Sequence, residues 1–147
     1  MADSARPTIV ALIAEDGRYA DVRRQALERA REAGATLLYF DVDAGGSLLE
    51  SPLPTEWSGQ GQQEQFGDRL DVNDLEAAGR APIARAVREA RDAGIEAWGW
   101  LPDKADAEAL AEYASAQSAS LVIVPEHERD IAETVTAEVE IVAPRSP

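Results

Sequence analysis

At 147 residues and 45% hydrophobic content, the chain has the size and apolar share of a single globular domain spanning 1–147. Its 28 Asp and Glu against 14 Lys and Arg leave a formal charge of −14, which repels nucleic acid and anionic membranes at long range. With no cysteine and one histidine, disulfides, thiolate nucleophiles and sulfur- or histidine-rich metal sites are removed from consideration.

The opening MADSARPTIV has no long apolar stretch behind a basic head, and the run from Ile9 to Ala14 is far too short to cross a bilayer, so a cytoplasmic address is expected. TIVALIA, from Thr8 to Ala14, is a short unbroken apolar run rich in β-branched residues. It predicts a parallel strand covered on both faces. After Glu15-Asp16-Gly17, apolar side chains recur at Tyr19, Val22, Ala26, Ala30 and Ala33, the stripe of an amphipathic helix, and Gly34 stands where a helix-ending glycine belongs. A second strand follows over Thr36 to Val42.

From about 43 to 81 the chain is rich in Gly, Ser, Gln and Pro and reads as a long loop. A helical turn is expected near Asn73 to Ala78, where Asn73 and Glu76 have capping-box spacing. Leu48, Leu49, Trp57 and Phe66 are costly to leave in water, so partial order is expected in the rest. Pro82 fits a helix first turn, giving a second helix to Ala93. Its end, Ala90-Arg91-Asp92-Ala93-Gly94 before IEAWGW, repeats Ala30-Arg31-Glu32-Ala33-Gly34 before ATLLYF. Trp98 and Trp100 share one face of this third strand, with packing against the second helix or the long loop expected. From Asp103, a stripe of Ala107, Leu110, Ala111 and Ala114 leads to the buried strand SLVIV, Ser120 to Val124. EVEIVA, Glu138 to Ala143, alternates like a half-exposed edge strand. Strands alternating with helices in this way make an α/β, three-layer, Rossmann-like fold with a parallel sheet.

TIVALIAEDG, a strand ending in an Asp-Gly turn, YFDV, a strand ending in valine, and ADAEALAEYASAQSASLVIVP, a helix and strand, together resemble the universal stress protein family. The resemblance implies a five-stranded parallel sheet of order 3-2-1-4-5 and a homodimer joined through the last strand. It also implies a ligand pocket at Asp16 and Gly17 after the first strand and Val42 after the second; Glu126, His127 and Arg129, where this chain departs from the family after the fourth strand, are the candidate residues on its remaining side. Asp16 would lie near a base and ribose, and Val42 against an adenine.

The phosphates of a nucleotide are held in that family by Gly-x-x-Gly, about nine residues, then Gly and Ser or Thr. Here the fourth strand runs into Pro125-Glu126-His127-Glu128-Arg129-Asp130, and no glycine follows Gly99. Glycine serves there because close backbone approach and positive φ let successive amides point at one anion. A carboxylate about 4 Å from a phosphate costs roughly 1 kcal/mol at the dielectric of water and about 4 near a protein surface. Glu126 and Glu128 would offset much of the roughly 8 kcal/mol behind micromolar affinity. The expected protein is a non-enzymatic binding or regulatory module, with no cofactor and no conventional ATP site. Two alternatives stand beside it: a nucleotide held with Mg²⁺ or Arg129 on its phosphates, and a metal-dependent phosphate-ester hydrolase.

The hydrolase alternative rests on acidic residues at strand ends: Glu15, Asp16, Asp41, Asp43, Asp103, Glu126 and Glu128. Such oxygens suit a divalent cation, but they equally suit helix N-termini. His127 is the single imidazole of the chain, yet no serine or threonine stands at nucleophile spacing from it. No catalytic set and no metal site are therefore assigned.

Overall fold

The computed structural model describes residues 7–14, 19–42, 69–102 and 106–143. Strand β1 (Thr8–Ile13) is followed by helix α1 (Ala20–Ala33) and β2 (Thr36–Asp41), and helices α2 (Val72–Ala77) and α3 (Ala81–Asp92) precede β3 (Ala97–Trp100). Helix α4 (Ala107–Ala116) leads to β4 (Leu121–Pro125), a 3-10 helix over Glu126–Ala132, and β5 (Glu138–Val142). Every strand pairing is parallel, and the order is β3-β2-β1-β4-β5. Both the fold class and the strand order match the expectation.

Alternation along the strands sorts the core into two layers. Ile9, Ala11, Ile13, Leu37, Tyr39 and Ile123 face α1, α2 and α3. Val10, Leu12, Leu38, Phe40, Val122 and Val124 face α4 and the 3-10 helix. Strand β1 is buried along its whole length because it lies at the centre of the sheet with helices on both faces. That position explains why its sequence is unbroken and not alternating.

Four local expectations need correction. Ala33 belongs to the apolar stripe by spacing but is exposed, because the chain is already leaving the sheet toward Gly34, whose φ of 63° ends α1. The helical turn in the 43–81 stretch exists, but its capping box is Asp71 with Asp74, two residues before the expected Asn73 and Glu76. Asp71 accepts from the Val72 amide at 2.8 Å and also from Arg91 at 2.6 Å. The Arg91 bond, with the amide behind it, holds the Asp71 carboxyl below the usual carboxylate range. Its contribution to stability is therefore present above the ordinary carboxylate value and is lost as pH falls through the depressed one. Third, the helix expected from Pro82 begins at Ala81, with the proline in its first turn. Leu48, Leu49, Trp57 and Phe66 lie outside the described residues.

The fourth correction concerns Trp98 and Trp100. They do share a face, but it is the α4 face, with Trp100 stacked on Tyr113 at 5.6 Å between ring centroids and 4° between planes. Arg91 of α3 reaches round the sheet edge to lie 4.8 Å over the Trp98 ring. Between the two tryptophans, Gly99 faces the other layer, where an added Cβ would come within 2.8 Å of Leu75 Cδ1. Helix α2 packs this closely only because glycine is there. The outer edge of β3 is covered as well, since the Leu70 amide donates to the Gly99 carbonyl at 2.7 Å and the Gly99 amide donates back at 3.0 Å.

Candidate functional site

In an open parallel sheet the crevice for ligands lies beyond the carboxyl ends of the strands, where neighbouring connections leave to opposite faces. Here that place is between β1 and β4. The described residues around it are Ala14 after β1, Tyr19 at the start of α1, Val42 after β2, and the 3-10 helix after β4. The Val42 amide donates to the Ile13 carbonyl at 2.9 Å, so Val42 extends the β1–β2 ladder by one step and is held in place. Tyr19 is buried, and the His127 ring meets it edge to face, 5.1 Å between centroids at 83°. Tyr19 and Val42 both pack on the α4-side core. Ile131 and Ala132 are buried in that same layer and anchor the 3-10 helix.

The His127 ring meets Tyr19, a residue that periodicity alone assigns to the core, and Val42 packs on the same α4-side layer, with no described contact between Val42 and His127. Glu126 and Arg129 are exposed on the 3-10 helix, and no described contact joins them to Val42. Asp16 and Gly17 lie outside the described residues. The available signal for the missed residue was an aromatic side chain at the very start of α1, two residues after Gly17 in sequence.

The connection from β4 to β5 decides what this crevice can hold. Residues 126–137 span twelve positions, fewer than the fifteen or so that the glycine motif of the resembled family would occupy. Among the described residues, positive φ occurs at Gly34, Gly79, Gly94 and Ser118, and not within 126–137. Without a left-handed residue, successive amides do not converge on one point, and no backbone nest for a phosphate forms. The kink at Glu128, φ −120° and ψ 21°, only joins two short 3-10 turns.

The acidic strand ends do not assemble a cation site either. Asp41 is buried and forms a two-pronged ion pair with Arg80, which donates from Nε to Oδ2 at 2.9 Å and from Nη2 to Oδ1 at 3.3 Å. This pair ties the end of β2 to the N-cap of α3. Among the described residues, no group of three His, Asp or Glu is placed to hold a metal ion. Asp43 and Asp103, with Glu15, lie outside the described residues.

No protein-family model matches the chain, and no curated protein matches it by sequence. Solved structures do. The universal stress protein from Archaeoglobus fulgidus aligns with a TM-score of 0.59 and 18% identity, covering 93% of each chain. Its complex with dAMP aligns with the same score and identity over 93% of this chain and 97% of that one. A universal stress protein in complex with cAMP aligns at 0.59 and 21% identity, over 97% of this chain and all of that one. Among the described residues no helix is long and apolar enough to cross a membrane. Near-complete coverage at such low identity makes the likeness one of fold: this chain has, in divergent form, the universal stress protein fold.

Proposed function

We propose that the protein is a non-enzymatic binding or regulatory module that does not take up ATP through a glycine loop. The observation that carries this reading is the short 126–137 connection with no left-handed residue among its positions. Glu126 and Glu128 stand where phosphates would otherwise arrive, on a chain already at −14. Calorimetric titration with ATP, with and without Mg²⁺, is expected to give no heat below about 1 mM, a limit near 4 kcal/mol of binding. Micromolar binding would overturn it.

A second reading has one observation in its favour: two proteins of this fold are described in complex with dAMP and with cAMP. Val42, Tyr19 and His127 form a rim on which an adenine could rest, with Asp16 and Gly17 following β1 and the phosphates left to Mg²⁺, Arg129 or solvent. Adenosine affinity that scarcely changes with phosphate count would favour this version. The hydrolase reading loses Asp41 to Arg80 and is not pursued.

The module acts in the cytoplasm as a homodimer joined through β5. Support comes from the strand itself: Ile141 is 48% exposed, and β5 is the last strand on its side of the sheet, whereas Leu70 covers β3 on the other. Glu140 is turned away onto α1, where Arg29 meets it at 2.9 Å and Gln25 at 2.6 Å, which relieves part of the like-charge repulsion between two acidic chains. Ile141→Lys is expected to convert the dimer to monomer in sedimentation velocity without lowering helix content. A wild-type chain that sediments as a monomer would remove this part of the proposal.

A further inference from the structure

A further hollow lies on the α1 and α3 face of the sheet, across from the 3-10 helix. It is an open cleft of about 740 Å³ between α1 and α3, with Ile13, Pro82 and Ala86 among its apolar walls. A volume of several hundred cubic ångströms with mixed lining is typical of small-molecule sites. Three arginines line it: Arg23 from α1, and Arg85 and Arg88 one turn apart on α3. Two carboxylates, Glu89 and Asp92, line it as well, so the lining among the described residues is net positive on a strongly negative chain.

The arginines are not equivalent. Arg23 is held by Glu89 at 3.0 Å, and Arg88 by Glu76 at 2.6 Å. Arg85 is exposed, and among the described residues no carboxylate lies within ion-pair distance of it. Tyr39, fully buried on β2 beneath the same helices, leaves its hydroxyl without a hydrogen-bond partner among the described residues, but it does not line the cleft.

We propose that this cleft is a second binding site, for a small organic anion with an apolar body. The body lies against Ile13, Pro82 and Ala86, and the acid group meets Arg85 with Arg88 beside it. The cleft opens on the α1 and α3 side of β1, and Ala14 at the end of that strand borders the Val42 and His127 crevice as well.

The test uses 8-anilinonaphthalene-1-sulfonate, an aryl body with one negative charge, and N-phenyl-1-naphthylamine, a similar body with none, each titrated by fluorescence. The sulfonate is expected to bind the wild-type chain more tightly than the amine. Arg85→Glu should weaken the sulfonate about tenfold, as expected for loss of a charge-assisted bond, and leave the amine nearly unchanged. Arg85 is on the surface, so its variant should keep the wild-type circular dichroism spectrum. Equal affinity for sulfonate and amine, an Arg85→Glu variant that binds the sulfonate as well as wild type, or no sulfonate binding below millimolar would each overturn the proposal.

Discussion

Asp41→Asn is expected to destabilise the protein by about 3 kcal/mol in urea denaturation, because it takes the carboxylate charge of the pair away from the buried Arg80 guanidinium. That is a large part of the roughly 5–15 kcal/mol holding a domain of this size. Arg80→Met breaks the same pair from the other side, with a different pH signature. The Asp41 carboxyl, no longer facing a guanidinium, can take up a proton, so the penalty shrinks as pH is lowered toward the ordinary carboxylate range. Guanidinium cannot lose its proton, and the Asp41→Asn penalty stays level across the same range. Combining Asp41→Leu with Arg80→Met should recover most of the loss, since an apolar pair of similar volume is often as stable as a buried ion pair. A double variant as unstable as the sum of the singles would mean that the two side chains act through other partners.

Tyr113→Ala is expected to cost about 3 kcal/mol, at the lower end for truncating a buried aromatic side chain. The ring is 5% exposed and contacts two others, Phe40 at 5.9 Å and Trp100 at 5.6 Å. Through Trp100 it fastens the end of the edge strand β3 to α4, so the loss should come with a shift of tryptophan emission to the red. Tyr113→Leu keeps most of the apolar burial and gives up the ring contacts, worth about 1 kcal/mol. An emission spectrum unchanged in Tyr113→Ala would show that Trp100 does not depend on this stack.

The architecture was legible because it is written in local patterns. TIVALIA and SLVIV are continuous apolar runs because β1 and β4 are covered on both faces, and Gly34 and Gly94 mark helix ends that the structure places at positive φ. Period and propensity say less about partners. Trp98 and Trp100 had to share a face, but whether α3 or α4 lay beneath it depended on the direction of a crossover, which no two-residue spacing records. The capping box slipped by two residues because Asp71 and Asp74 offer the same local chemistry as Asn73 and Glu76. Only the Arg91 contact, twenty residues away, favours the first pair. The crevice followed the same division. The lack of glycine after Gly99 was visible at once, whereas the meeting of Tyr19 with His127 and of Asp41 with Arg80 joins side chains far apart in the chain. The α1–α3 cleft left no sequence mark, since its arginines sit on exposed helix positions where arginine is ordinary.

The Leu70 bridge has a consequence for aggregation. A sheet with two open edges can add chains at both ends and grow without limit, as fibres do. Leu70 occupies the outer hydrogen-bonding groups of Gly99 at the middle of β3, so a neighbouring chain finds no continuous ladder to extend there. Growth by edge addition is left with β5 alone, and a pair joined edge to edge through β5 has used it up. One residue on the far side of the molecule thereby makes such an assembly finite, and replacing Leu70 with proline, which cannot donate the amide, would expose the chain to open-ended stacking.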